Sequence, residues 1–261
     1  MKEKLFQLKS FIPYWLDALD AHSLHSPFFY QFYTNVIQSN EINTKFNSIE
    51  EIRNTLLKDV RSINVLDLGS GSQVLIKSSR LIKDVARMSL SPAPYARMYE
   101  RLSSYFQCKN IFELGTSLGI NTLYLASTKE SKVTTFEGST EIANIARQSF
   151  EKAEAKNIRI VEGNLDTTLM NEIQSTNLID LAFMDANHRY EPTVKYFEFL
   201  IQKMNEQSII IIDDIHYSRA MERAWKELKQ HDRIHGSADL FRCGILFFDP
   251  SLNNQHVVLQ C

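Results

Sequence analysis

Phe112-Glu113-Leu114-Gly115-Thr116-Ser117-Leu118-Gly119 is the stretch that decides the fold. The apolar run at 110–114 reads as a strand with an acidic side chain, Glu113, next to its end. Two glycines four residues apart then let the chain turn directly into a helix near 118–128. A helix start offers unpaired N–H groups to whatever lies over the loop. The spacing is G-x-x-x-G, not the G-x-G-x-x-G that presses on a dinucleotide pyrophosphate, so a ligand without phosphate suits it. Gly115, Thr116, Ser117 and Gly119 are therefore candidate binding positions, and Glu113 is placed to meet a ligand's ammonium group. A glycine-bearing strand-to-helix turn is equally a structural device, so the neighbouring segments have to arbitrate.

Strand-like and helix-like runs alternate downstream. Strands are predicted at 132–137, 158–161, 178–184 and 208–212, with helices near 139–155, 166–175, 191–204 and 218–230. Ser139 is a good cap for the second helix, whose apolar residues from Ile142 to Ala153 share one face. Five βα units imply right-handed crossovers and a parallel sheet covered on both faces. Two last runs, 244–248 and 256–260, flank a loop suited to an antiparallel reversal. The expectation is a Rossmann-like α/β fold: a seven-stranded, mostly parallel sheet with an antiparallel C-terminal strand and a helical N-terminal extension.

Upstream of the loop, residues 1 to about 60 are rich in aromatics and read as two or three helices broken near His25-Ser26-Pro27. A short strand and Gly/Ser turn at 63–72 and a helix over 73–89 follow, and Ser91-Pro92-Ala93-Pro94 is the best linker. The predicted division is an extension over 1–90 and a main domain over 95–261. Val65-Leu66-Asp67-Leu68-Gly69-Ser70-Gly71-Ser72 imitates the 112–119 loop, but no strand ending in an acid follows it.

A net charge of −2 gives no electrostatic reason to expect nucleic acid. The three cysteines form no C-x-x-C pair, which argues against zinc or a disulfide framework. The N-terminus mixes lysines among its apolar residues, unlike a signal peptide, and no apolar run approaches the ~20 residues that span a bilayer. A cytoplasmic protein with no membrane partner is expected.

In such a sheet, ligands gather at the carboxyl ends of the strands. Glu137 ends the second strand about twenty residues after the glycine loop, where a carboxylate can accept both ribose hydroxyls. After the third strand, Asn164 and Asp166 either meet an adenine edge or cap the next helix, capping being the better reading for Asp166. Asp185 ends the fourth strand, placed to touch donor, acceptor or metal. His188 on the same loop is a candidate general base. The fifth strand ends in Asp213-Asp214, with His216 beyond as another candidate base. Two adjacent carboxylates there need a partner, water or a cation, and with Asp185 they make an oxygen-rich set suited to Mg²⁺ or another divalent cation.

Taken together, FELGTSLG, TTFEGS, VEGNLD, FMDANHRYEP and IIIIDDIHYSRAMERAWKEL resemble the class I S-adenosylmethionine-dependent methyltransferases. Within them the chain is most similar to the O-methyltransferase-like group, in its bacterial small-molecule branch. The resemblance covers about 150 residues, and D-x-x-H-x-Y-E at 185–191 followed by the Asp pair is its most specific part. It implies S-adenosylmethionine as cofactor and, in metal-dependent members, Mg²⁺ held at the positions of Asp185, Asp213 and Asp214. Catechol-type enzymes have Asp-Asn where this chain has Asp-Asp, and commonly a lysine near the position of His188.

The predicted activity is methyl transfer to a small-molecule acceptor, preferentially at oxygen, with deprotonation assisted by a metal, His188 or His216. The N-terminal aromatic helices then cover the acceptor pocket, form a homodimer interface or simply pack on the core. The competing readings are a nicotinamide-dependent oxidoreductase, disfavoured by the missing G-x-G-x-x-G, and a non-catalytic cofactor- or partner-binding module on the same fold.

Overall fold

The computed structural model describes residues 2–38, 44–67, 76–128 and 130–261. They form two compact units, Met1–Asn40 with Thr176–Cys261, and Glu41–Ser175. The compact units thus divide the chain differently from the 1–90 and 95–261 split, because the first helices pack with the last strands. Helix α1 (Lys2–Asp17) is followed by α2 (Pro27–Phe32), which runs into a wider turn at Tyr33–Ile37. The break falls where Pro27 takes the first helical position, where its missing N–H costs nothing. Between the helices, the Leu19 N–H donates to Val258 O at 2.9 Å, and Phe28, Phe29 and Phe32 stand edge-on around Phe247.

The second unit opens with α3 (Asn47–Leu56), β1 (Ser62–Asp67), β2 (Ile76–Leu81), α4 (Ile82–Ser89) and α5 (Ala93–Tyr105). The helix expected over 73–89 therefore starts only at Ile82. Residues 76–81 pair antiparallel with β1, Ser62 opposite Leu81, because a lone strand would leave its backbone groups without partners. The Gly/Ser turn read after β1 lies outside the described residues. Then come β3 (Asn110–Leu114), α6 (Ile120–Ala126), β4 (Lys132–Glu137), α7 (Thr140–Lys152), β5 (Ile158–Glu162) and α8 (Leu165–Ser175). Strands β3, β4 and β5 pair in parallel, with Glu113 opposite Thr135. Ile63 and Val65 of β1 bury against Ile142, Ile145, Ala146 and Phe150 of α7.

The first unit resumes with β6 (Leu181–Met184), α9 (Tyr190–Leu200), β7 (Ile209–Asp213), α10 (Arg219–Leu228), β8 (Gly236–Asp239), β9 (Cys243–Phe247) and β10 (Gln255–Val258). Strand β7 runs parallel to β6 and antiparallel to β9. The last two runs do not pair with each other as expected. Strand β8 lies between them, antiparallel to β9 and parallel to β10. Its sequence, Gly-Ser-Ala-Asp, has little intrinsic strand preference and is held by its neighbours on both sides. The sheet is eight-stranded and mostly parallel, its antiparallel pairings confined to the C-terminal strands. This is the expected Rossmann-like α/β architecture with one strand more than predicted. Every residue of β7 is buried, as a strand covered on both faces requires. No helix among the described residues is long and apolar enough to cross a membrane.

Candidate active site

The glycine loop is held from below by the strand beside it. The N–H groups of Gly115 and Thr116 donate to Phe136 O at 3.1 and 3.0 Å. Gly115 and Gly119 have φ of +105° and +84°, and Ser117, also left-handed at +49°, sits between them. A Cβ on Gly119 would lie 2.5 Å from Phe150 Cε1, so glycine here also permits close helix packing. The Ser117 N–H donates to Glu137 Oε2 at 3.0 Å, and the Ser139 N–H to Glu137 Oε1 at 2.9 Å. Glu137 therefore clamps the loop to the end of β4, and burial raises its carboxyl against these backbone donors. Ser139 occupies the cap position of α7, but its buried hydroxyl makes no hydrogen bond, its backbone being used by Glu137 instead.

Glu113 is wholly buried. Its Oε1 accepts from Asn121 Nδ2 at 2.9 Å, and its Oε2 from the hydroxyls of Thr122 at 2.5 Å and Thr135 at 2.7 Å. Thr116 Oγ1 lies 2.6 Å from Thr135 Oγ1 in the same network. Burial pushes the Glu113 carboxyl up to about 7 despite three donors. It thus braces β3, β4 and α6, and an ammonium group would have to displace one of these donors to reach it. After β5, the helix cap is Asn164 and not Asp166: Asn164 Oδ1 accepts the Asp166 N–H at 2.9 Å. Asp166 lies in the first turn of α8, where a carboxylate suits the positive end of the helix dipole.

In the other unit, the loops after β6 and β7 bring Asp185, His188 and Asp214 together, with one ligand-type atom of each within 4.8 Å of the others. His188 Nε2 is 3.3 Å from Asp185 Oδ1, and its Nδ1 is 3.9 Å from Asp214 Oδ2. Asn187, His188 and Asp214 have φ of +64°, +33° and +56°. Such conformations cost energy for residues other than glycine and collect at functional sites. The turn is tied by the His188 N–H to Ala186 O at 2.9 Å and by Asn187 Nδ2 to Tyr196 Oη at 2.7 Å.

Asp213 does not join this group. It ends β7 with its side chain buried and accepts from Arg242 Nη2 at 2.8 Å. Burial raises its carboxyl, opposed chiefly by the Arg242 guanidinium. Asp214 and His188 still lie near enough to act on it electrostatically, Asp214 raising and His188 lowering the same carboxyl. Of the set Asp185, Asp213 and Asp214 implied for Mg²⁺, Asp185 and Asp214 thus stand with His188, while the Asp213 carboxylate is paired with Arg242. His216 is anchored elsewhere in the same unit. Its Nε2 is 2.9 Å from Asp239 Oδ2, which also accepts from Trp225 Nε1 at 3.1 Å, and its ring stacks on Phe241. Arg242 and Asp239 were not singled out from sequence. Asp239 ends β8 and Arg242 lies in the turn to β9, and only a hairpin prediction there would have raised them.

Residues 112–215 match the methyltransferase-domain family. A catechol O-methyltransferase of Niastella koreensis is 23% identical over 153 residues, covering 57% of this chain and 68% of that protein. Two solved structures share the fold. An O-methyltransferase of Bacillus cereus in complex with SAH is 17% identical, with a TM-score of 0.55 over 83% of this chain and 94% of its own. An SAH-bound methyltransferase of Podospora anserina is 14% identical, with a TM-score of 0.55 over 81% and 99%.

Proposed function

We propose that this chain, whose residues 112–215 match a methyltransferase-domain family, is a class I S-adenosylmethionine-dependent, O-methyltransferase-like enzyme that moves the methyl group of S-adenosylmethionine onto an oxygen of a small-molecule acceptor. The observation that carries this reading is the clamp of Glu137 on the Ser117 N–H. It fixes a carboxylate beside a left-handed, close-approach loop, the pairing that ribose hydroxyls and a phosphate-free cofactor need. In the reaction the acceptor oxygen attacks the methyl carbon as the carbon–sulfur bond breaks. The bonding pair stays on sulfur, leaving S-adenosylhomocysteine. The hydroxyl proton passes to His188, and the carboxylates of Asp185 and Asp214 stabilise the imidazolium formed. His216, held by Asp239, is assigned a supporting and not a proton-accepting role.

Calorimetric titration with S-adenosylhomocysteine tests the cofactor reading. Wild type should bind in the micromolar range, and Glu137→Ala about 100-fold more weakly, as expected for losing two hydrogen bonds to a charged acceptor. No binding to wild type would sink the reading. His188→Gln should keep that binding and lose methyl transfer.

Self-association through α1 belongs to the same proposal. Leu5, Leu8, Phe11, Ile12, Trp15 and Leu16 are all more than 40% exposed on α1. They leave on the order of 600 Å² of apolar surface, close to the ~800 Å² per partner of a standard interface. A second copy of the chain is the proposed occupant. Leu8→Glu with Ile12→Glu should turn a dimer into a monomer in sedimentation, and a monomeric wild type would refute it.

A further inference from the structure

We infer that this chain works without the divalent cation its motifs imply, because its own Arg242 guanidinium has taken one of the three carboxylates that would hold it. The inference rests on the methyl-transfer reading above and concerns which groups surround the acceptor chemistry. Three observations carry it. First, the buried carboxylate of Asp213 is engaged at 2.8 Å by Nη2 of the partly exposed Arg242 guanidinium. A carboxylate bound to a fixed guanidinium is a poor ligand, since a cation would have to displace a permanent positive charge.

Second, Arg242 is not a mobile surface arginine. Its N–H donates to Leu240 O at 2.7 Å, and its carbonyl accepts the Ile215 N–H at 3.2 Å. Phe241 beside it is left-handed at φ +62°, with its N–H on Asp239 Oδ1 at 2.9 Å. The β8–β9 turn thus fixes the Arg242 backbone beside the residues that follow β7, from where its guanidinium reaches Asp213. Third, the two remaining carboxylates already face the His188 ring, Asp185 on one nitrogen and Asp214 on the other. The space between them is filled by an imidazole. Mg²⁺ demands near-octahedral oxygen coordination, and this arrangement leaves it two carboxylates, an intervening ring and a positive charge on the adjacent residue.

Manganese electron paramagnetic resonance on the full chain, with S-adenosylhomocysteine present, reads this out without reference to turnover. Wild type should show no one-to-one Mn²⁺ site tighter than about 1 mM. Arg242→Gln should create such a site by releasing Asp213, and Arg242→Gln with Asp213→Asn should abolish it again. A wild-type site tighter than that limit, lost in Asp185→Asn, would overturn the inference. This includes a softer site built from Asp185, His188 and Asp214, which a parallel Co²⁺ titration would reveal. It would also be overturned if Arg242→Gln folds, binds S-adenosylhomocysteine and gains no site. Should Arg242→Gln fail to fold, the wild-type titration decides alone. Calorimetry on the same samples keeps the two readings apart. Wild type that fails to bind S-adenosylhomocysteine sinks the methyltransferase assignment, whereas Mn²⁺ bound beside it sinks only this inference.

Discussion

Gly119→Ala should destabilise the protein by about 3 kcal/mol, and the structure says from where. Gly119 has φ +84°, and placing a β-carbon in left-handed backbone costs roughly 1–2 kcal/mol. That β-carbon would lie 2.5 and 2.9 Å from Phe150 Cε1 and Cζ and 3.2 Å from Ala146 Cβ, both on α7. Overpacking of this kind costs roughly 1–3 kcal/mol. The loss of chain freedom in the unfolded state returns roughly 0.4–1 kcal/mol. In a chain of 261 residues the net loss corresponds to a fall in Tm of about 6–10 °C, measured by calorimetry. The two causes separate in a second variant. Phe150→Leu in the Gly119→Ala background removes the clash but not the backbone strain, so it should recover about half of the loss. S-adenosylhomocysteine binding should weaken in parallel, because the strained residue closes the loop begun at Gly115. A loss below about 1 kcal/mol, or no recovery with Phe150→Leu, would refute the claim that glycine is required by both contacts and conformation.

Further outcomes follow from single groups. Glu113, raised from 4.5 to about 7 by burial, stabilises the fold below its unfolded pKa, and that contribution is lost as pH rises through about 7. Wild type should therefore lose up to about 3 kcal/mol between pH 5 and 8 relative to Glu113→Gln, and parallel Tm profiles of the two would contradict it. Ser139→Ala should change stability by less than about 0.5 kcal/mol, because the hydroxyl caps nothing; a loss above about 1 kcal/mol in denaturant melts would show that it does. Gly244→Ala should cost roughly 1–3 kcal/mol, since its Cβ would come within 2.5 Å of Trp225 Cζ3, and the Trp225 fluorescence should shift with it.

The parts of the fold that were legible were those where one physical rule dominates. The apolar Ile209–Ile212 run and the strand-to-helix turn at 112–119 both lie where expected. What escaped was set by neighbours. Residues 76–81 are strand because β1 needs a partner, and 236–239 are strand because β9 and β10 enclose them. Neither segment carries a periodicity that would reveal this. The cap of α8 went to Asn164 over Asp166 for a similar reason, as only the position immediately before the helix can reach its second N–H.

The site divides along the same line, and the two adjacent aspartates show why. Asp213 and Asp214 are chemically identical and one residue apart, so a motif treats them as a pair of ligands. Backbone geometry does not, because Asp213 is the last strand residue and Asp214 turns left-handed at φ +56°. One side chain is buried and the other stays partly open beside His188. Which partner the buried one finds depends on a turn nearly thirty residues later, where Phe241 and Arg242 close the β8–β9 hairpin. A carboxylate count read from the motif takes no account of the guanidinium that Arg242 sets against one of them. The residue that separates a metal-dependent from a metal-independent reading of this site is thus an arginine outside every motif that identified the chain.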